Sequence, residues 1–429
     1  LEPTSLSRQR LAYDEVLASQ LAVALVREQF RRRPGRPIVG DGHLRAKAIA
    51  ALPFSLTVGQ EEALAEIASD MGSDVRMLRL LQGDVGSGKT VVALLAMLAA
   101  VESGAQAALM APTDILARQH FATIGPLAAA AGVRVSLLTG RDKGKARQVI
   151  LDSLASGETA IIVGTHALFQ SDIVMHDLAL AIIDEQHRFG VHQRMLLTGK
   201  GRAVDVLVMT ATPIPRTLML AAYGDLDESR LTEKPAGRQP IDTRTLPLER
   251  LDKVVAAVGR QLADGAKIYW VCPLVEESET GDLAAATDRQ QSLALLFGER
   301  VGLVHGRMSG REKDDIMARF SGAESAAPEI DLLVATTVIE VGVDVPQATV
   351  MVIEHAERFG LAQLHQLRGR IGRGGKPSTC LLLYGQPLGE TARARLRIMR
   401  ETNDGFRIAE EDLRLRGAGE VLGTRQSGS

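Results

Sequence analysis

Eight consecutive residues, Gly83-Asp84-Val85-Gly86-Ser87-Gly88-Lys89-Thr90, have the spacing of a phosphate-binding loop. An apolar run from Met77 to Leu81 precedes them and reads as a buried strand, and an Ala/Leu/Met-rich run from Val91 to Val101 follows and reads as a helix. A glycine-rich loop between strand and helix turns backbone N–H groups inward on phosphate oxygens, at the positive end of the helix. In this pattern Lys89 supplies a cation for the β- and γ-phosphates, and the Thr90 hydroxyl is a ligand for Mg²⁺. Gly86 and Ser87 complete the cradle, and a Cβ at Gly83 or Gly88 would obstruct the tight backbone path. The first expectation is binding of ATP with Mg²⁺.

A second group of chemical residues follows the hydrophobic strand Leu180–Ile183. Asp184 leaves that strand where it can reach Mg²⁺ through water, and Glu185 is placed to orient or deprotonate an attacking water. An acidic pair after a strand is also a common helix N-cap; downstream of a phosphate loop the catalytic reading is preferred. Thr210 and Thr212, in Thr210-Ala211-Thr212-Pro213, put hydroxyls at another strand end, where they would sense the γ-phosphate and relay its loss. Gln60 opens a helix spanning Glu61–Asp70, with Thr57 as N-cap. Its amide offers a donor and an acceptor to an adenine edge, and Phe54 offers a ring to stack on the base. Far downstream, Gln366, Arg370 and Arg373 cluster in residues 363–374, the arginines three apart, on one helical face or at its end. Arginine from a facing domain neutralises transition-state charge in phosphoryl transfer, so these three are read as hydrolysis residues.

The elements that must position these residues alternate strand and helix. Candidate strands are Met77–Leu81, Ala107–Ala111, Val133–Leu138, Ala160–Val163, Leu180–Ile183 and Val204–Met209. Each ends in small or polar residues, among them Gly83, Thr113, Thr165 and His166, Asp184, Thr210 and Thr212. In an open parallel sheet those ends share one edge, where ligands bind. Around Glu233–Pro240 the periodicity breaks, which marks a linker. A second series follows without a phosphate loop of its own: strands Arg244–Leu246, Lys267–Val271, Val301–Val304, Asp331–Ala335, Thr349–Ile353 and Thr379–Tyr384, with helices Leu251–Leu262, Gln290–Phe297, Arg311–Phe320 and Leu361–Arg370. Within it, Glu276–Asp288 reads as an exposed acidic loop, and the stretch from Ala335 to Asp344 mixes hydroxyls such as Thr336 with the acidic Asp344. The chain then turns helical over Thr391–Met399 and Asp404–Leu415. The N-terminal stretch Leu11–Phe30 has helical spacing and ends at the cluster Arg31–Arg33.

The predicted fold class is α/β, two tandem RecA-like parallel-sheet domains with a short N-terminal helical segment and a C-terminal helical and loop element. The boundaries are 1–48 for the N-terminal segment, 49–235 for the first sheet domain, 236–388 for the second and 389–429 for the C-terminal element. With 50 basic and 52 acidic residues the chain is not a globally basic nucleic-acid binder, so any such contact is local. Aromatics at 3% exclude broad base-stacking platforms. Cys272 and Cys380 form no metal or redox motif, and a reduced cytoplasmic protein fits. Both chain ends look cut, as in a fragment.

The motif set GDVGSGKT, APTDILARQ, GTHALF, DEQHRFG, TATPIPRT, HGRM, TTVIEVGVDVP and QLRGRIGRG resembles that of the superfamily 2 helicases. DEQHRFGVHQR, MTATPIPRTL and the RLRGAGEVLGTRQSG ending resemble the RecG family of branched-DNA helicases in particular, as does the stretch Arg10–Leu25. The resemblance implies a monomeric, ATP-driven translocase on branched duplex DNA, including replication forks and Holliday junctions, with roles in repair and recombination. It also implies that Gln60 reads adenine and that Arg373 is the main arginine finger. Thr113, Arg118, Thr165, His166, Thr210, Thr212 and Thr336 would contact or couple to DNA. Arg414, Arg416, Thr424, Arg425 and Gln426 would lie in the element that couples hydrolysis to translocation. That family carries an N-terminal wedge domain, which these residues do not include. A transcription–repair coupling translocase shares the motor, and a DNA-binding fragment without coupled hydrolysis is the rival of another class.

Overall fold

The computed structural model describes residues 34–170, 172–185, 201, 203–215, 226–233, 239–273, 279–322, 328–336 and 345–416, with scattered residues of 10–25. Arg31–Arg33, Gln186, Thr424, Arg425 and Gln426 lie outside the described residues, as do the whole stretch 337–344, with Asp344, and the side chain of Arg416. The chain divides into two units, Leu1–Gly83 with Ser87–Glu233, and Asp84–Gly86 with Lys234–Ser429.

In the first unit, seven parallel strands stand in the order β3-β4-β2-β5-β6-β1-β7. They are β1 Leu78–Gly83, β2 Gln106–Met110, β3 Val135–Leu138, β4 Ile161–Gly164, β5 Leu178–Asp184, β6 Asp205–Thr210 and β7 Asp227–Leu231. The connecting helices are α1 His43–Ala50, α2 Val58–Met71, α3 Lys89–Glu102, α4 Asp114–Ala130 and α5 Gly144–Ala155. The inner strands β1, β2, β5 and β6 are buried along their whole length, because helices cover a parallel sheet on both faces. This is why their sequences read as continuous apolar runs rather than alternating ones. All six predicted strands of this unit form. The seventh, β7, escaped the sequence reading because Asp227-Glu228-Ser229-Arg230-Leu231 is polar; it adds to the sheet edge beside β1, burying only Ser229 and Leu231 fully.

The second unit holds six parallel strands in the order β10-β11-β9-β12-β13-β8. These are β8 Asp242–Pro247, β9 Lys267–Val271, β10 Val301–Val304, β11 Leu332–Ala335, β12 Ala348–Ile353 and β13 Thr379–Tyr384. Its helices are α6 Leu251–Ala263, α7 Glu279–Phe297, α8 Gly310–Ser321, α9 Leu361–Arg368, α10 Glu390–Glu401 and α11 Gly405–Arg416. Two clusters of buried residues flank this sheet, one containing Tyr269, Phe320 and Met351, the other Trp270, Leu293 and Val352.

One expectation is corrected. Glu276–Asp288 was read as an exposed acidic loop, yet α7 begins at Glu279 and covers most of it. Acidic composition masked a good helix former, Leu283-Ala284-Ala285-Ala286. Ala286 is fully buried against the core, and Arg289 one turn on pairs with the buried Glu354. In the N-terminal stretch the described residues are helical, as the spacing predicts, and Leu11, Leu17, Leu21 and Leu25 are exposed. Among the described residues no helix is long and apolar enough to cross a membrane. Cys272 and Cys380 are both buried, and burial pushes each thiol up to about 12.

At the start of β6, Asp205 joins two strands through its side chain. Its Oδ1 accepts from Met77 N at 2.7 Å, while Oδ2 is buried with no hydrogen-bond partner. Burial, helped by the nearby Asp70, pushes its carboxyl up to about 7 despite the Met77 bond. A carboxyl raised on folding binds its proton more tightly in the folded chain, so its contribution to stability is complete below the unfolded value and is lost as pH rises through about 7. Asp205→Asn keeps the acceptor for Met77 and cannot ionise. It should raise the thermal midpoint clearly at pH 8 and much less at pH 5; a gain that does not depend on pH would refute this account.

Candidate active site

The phosphate loop forms between β1 and α3 as its sequence demands. Gly86 and Gly88 adopt φ of 77° and 87°, the left-handed region that glycine enters without cost. A Cβ at Gly88 would lie 2.1 Å from Gln60 Nε2, and one at Gly83 would lie 2.5 Å from Ser87 Oγ and 2.9 Å from Leu231 Cβ. Gly83 is therefore required by close approach, and Gly88 by its left-handed backbone, with the Gln60 amide packed against it. Lys89 opens α3, and its Nζ donates to Gly83 O at 2.6 Å, which holds the cation over the loop's own start.

Gln60 is 1% exposed and supports the loop from behind. Its Nε2 donates to Ser87 O at 2.9 Å and its Oε1 accepts from Thr57 N at 3.0 Å, while the Thr57 hydroxyl caps α2. Thr57 is thus the N-cap that the sequence predicts, but the Gln60 amide reaches the loop backbone at one end and its own capping box at the other. Phe54 is exposed.

Asp184 is the last residue of β5 and is 7% exposed. Its Oδ2 lies 2.7 Å from His120 Nε2 and its Oδ1 accepts from Glu185 N at 3.1 Å. Burial opposes ionisation here, but the His120 hydrogen bond, with the charges of His120 and Lys89, outweighs it and holds the carboxyl below the ordinary range. An ionised carboxylate only accepts, so His120 Nε2 is the donor. Glu185 has φ of 55°, a left-handed conformation that a non-glycine residue rarely adopts, and its N–H also donates to Met209 O at 3.0 Å. Such strain held by a surrounding sheet is typical of functional loops. The buried carboxylate of Asp184 is a hard-oxygen donor of the kind Mg²⁺ takes, and a threonine hydroxyl such as that of Thr90 is another.

The remaining strand ends lie on the same edge of the sheet. Thr113 caps α4 by accepting from Leu116 N, and Arg118 one turn later pairs with Asp114 at 3.0 Å. Thr165 is buried and caps a short 3₁₀ turn that begins at the exposed His166. Thr210 Oγ1 accepts from Thr212 N at 3.1 Å, folding that loop back on itself. Gln82, which the sequence reading passed over, is fully buried: its Oε1 accepts from Ile214 N at 2.9 Å and its Nε2 donates to Glu228 at 3.0 Å. It ties the 210–214 loop to the strand that carries the phosphate loop. No local sequence signal distinguishes Gln82 from any polar residue at a strand end, whereas a His in the middle of an otherwise apolar helix face marks His120.

In the second unit α9 ends at Arg368, so Arg370 and Arg373 lie past its C-terminus, where the sequence left the choice open. Arg370 is 9% exposed and Arg373 half-buried, with its Nε 3.4 Å from Gly369 O. Arg368, not singled out from sequence, is 2% exposed and donates to Met399 O at 2.7 Å and Thr402 O at 2.9 Å, closing the end of α10. Thr336 is buried after β11, and Arg414 on α11 is exposed and paired with Glu411 at 2.8 Å.

Two parallel-sheet units, with a phosphate loop between β1 and α3 and an acidic pair at the end of β5, make a tandem-sheet fold of the helicase type. Matching family models agree: DEAD/DEAH box helicase over residues 57–220, Helicase conserved C-terminal domain over 248–375, and ATP-dependent DNA helicase RecG, domain 3, C-terminal, over 402–429. Together these helicase models match most of the chain. In particular it is similar to ATP-dependent DNA helicase RecG of Escherichia coli (strain K12), 50% identical over 429 residues, which is 99% of this chain and 61% of that relative. RecG of Bacillus subtilis (strain 168) is 48% identical over 431 residues, 100% of this chain and 62% of the relative. The chain thus spans about three fifths of the relatives it matches. A solved structure of RecG bound to a three-way DNA junction superposes with a TM-score of 0.83 at 44% identity, covering 96% of this chain and 54% of that one. Yeast Dbp5 bound to RNA and ADP BeF3, at 16% identity and a TM-score of 0.63, shares the fold.

Proposed function

We propose that this chain is an ATP-driven motor that translocates on branched duplex DNA, acting as a monomer in the cytoplasm. The observation that carries the reading is that one sheet edge holds both Lys89, its Nζ over the start of the phosphate loop, and Asp184, buried at the end of β5 with its carboxyl held below the ordinary range by the His120 hydrogen bond and in part by that lysine's charge. A cation for transferring phosphates and an anion for their metal are what nucleoside triphosphate hydrolysis needs in one place. Lys89 binds the phosphates, Thr90 and Asp184 would hold Mg²⁺, and Glu185 orients and deprotonates the attacking water. When bound, Mg²⁺ would neutralise charge that develops on the phosphate oxygens. Gln366, Arg370 and Arg373 are the second unit's proposed hydrolysis residues. Similarity to RecG over the whole chain supports DNA as the track, with Thr113, Arg118, Thr165 and His166 as proposed contacts at the sheet edge.

Phosphate release by the 429-residue chain tests this. Turnover should depend on Mg²⁺ and rise several-fold with a three-arm DNA junction, more than with single strands of equal length. Hydrolysis indifferent to DNA would reduce the chain to a nucleotidase, and DNA binding without hydrolysis would favour an uncoupled binding module.

A further inference from the structure

His120 is the buried group next to the proposed metal carboxylate that no motif accounts for. The sheet order explains how it arrives there. β5 is the neighbour of β2, and α4 leaves the carboxyl end of β2 through the Thr113 cap. Seven residues into that helix, about 10 Å along its axis at ~1.5 Å per residue, His120 points onto the end of β5. It is 8% exposed, and its Nε2 lies 2.7 Å from Asp184 Oδ2. The other carboxylate oxygen is held by Glu185 N–H at 3.1 Å. Asp184 is therefore oriented by one backbone donor from its own loop and one side-chain donor from a different element. A group that donates to a ligating carboxylate fixes its rotamer and tunes its basicity.

We propose that His120 is a positioning residue for the metal site, which locks the Asp184 carboxylate against α4. This deepens the proposed function and rests on Asp184 being the Mg²⁺ ligand. In this scheme His120 acts only through Asp184, the partner of its Nε2. Because Thr113 caps α4 and Arg118 lies on it, this contact ties the metal carboxylate to the helix proposed to face DNA.

The test reads metal binding rather than turnover. Mn²⁺ affinity is measured by electron paramagnetic resonance on the whole chain in the presence of AMP-PNP, alongside metal-free AMP-PNP binding and the thermal midpoint. His120→Phe keeps a ring and removes the donor. It should weaken Mn²⁺ binding by about tenfold to a hundredfold while metal-free nucleotide binding is unchanged. His120→Gln puts an amide donor at nearly the reach of Nε2 and should recover most of the loss. The proposal is overturned if His120→Phe binds Mn²⁺ like the unaltered chain, if His120→Gln is no better than His120→Phe, or if metal-free nucleotide binding falls in parallel. Should the unaltered chain bind no Mn²⁺ with AMP-PNP, the hydrolysis reading itself fails, and the inference with it; normal binding there with indifferent variants removes the inference alone.

Discussion

Lys89→Ala is expected to lower ATP turnover by about 10³-fold or more, a loss of about 4 kcal/mol in transition-state stabilisation. The lysine is the loop's own cation, and its charge also reaches Asp184. Alanine removes both effects at once, leaving the triphosphate without its β/γ counter-charge and Asp184 with less opposition to the burial that disfavours its ionised form. The fold should tolerate the change. Alanine is a good helix former at the first position of α3, and the apolar body of that helix stays buried. Steady-state phosphate release, with the thermal midpoint as control, checks the result. Turnover near the unaltered rate would remove the loop from the chemistry.

Glu185→Gln carries the second large effect. The substitution keeps size and hydrogen-bonding reach but cannot accept a proton, so turnover should drop by about 10²–10⁴-fold. ATP binding should persist, because Glu185 supplies no contact to the phosphates in this scheme and its backbone bonds to Met209 O and Asp184 Oδ1 do not depend on the side chain. The unusual φ of 55° should persist for the same reason. Single-turnover hydrolysis alongside fluorescent nucleotide binding separates the two quantities. If binding and turnover fell together, Glu185 would be holding the loop in shape rather than acting on water.

Much of the fold was legible because its signals are local. A buried parallel strand needs an unbroken apolar run, and a phosphate loop needs glycines where backbone comes close, as at Gly83 and Gly88. All twelve strands named from sequence exist, and spacing alone was enough to single out Lys89, Thr90, Asp184 and Glu185 as candidates. Composition misled at two places: a polar edge strand, Asp227–Leu231, was missed, and the acidic start of Glu279–Phe297 hid a helix. Whether a strand pairs or a helix docks depends on what lies beside it.

The sequence by itself determined which residues sit at strand ends and therefore on one sheet edge, since alternation of strand and helix admits no other course for a parallel sheet. Only the tertiary structure decided what stands behind them. His120 meets Asp184 from 64 positions away, Gln60 holds Ser87 from 27, and Gln82 holds Ile214 from 132. The first and the last follow from strand order, β5 next to β2 and β1 next to β6, and the second from the packing of α2 on α3. Strand order is settled by the packing of whole faces against one another, a property that no short stretch of sequence carries.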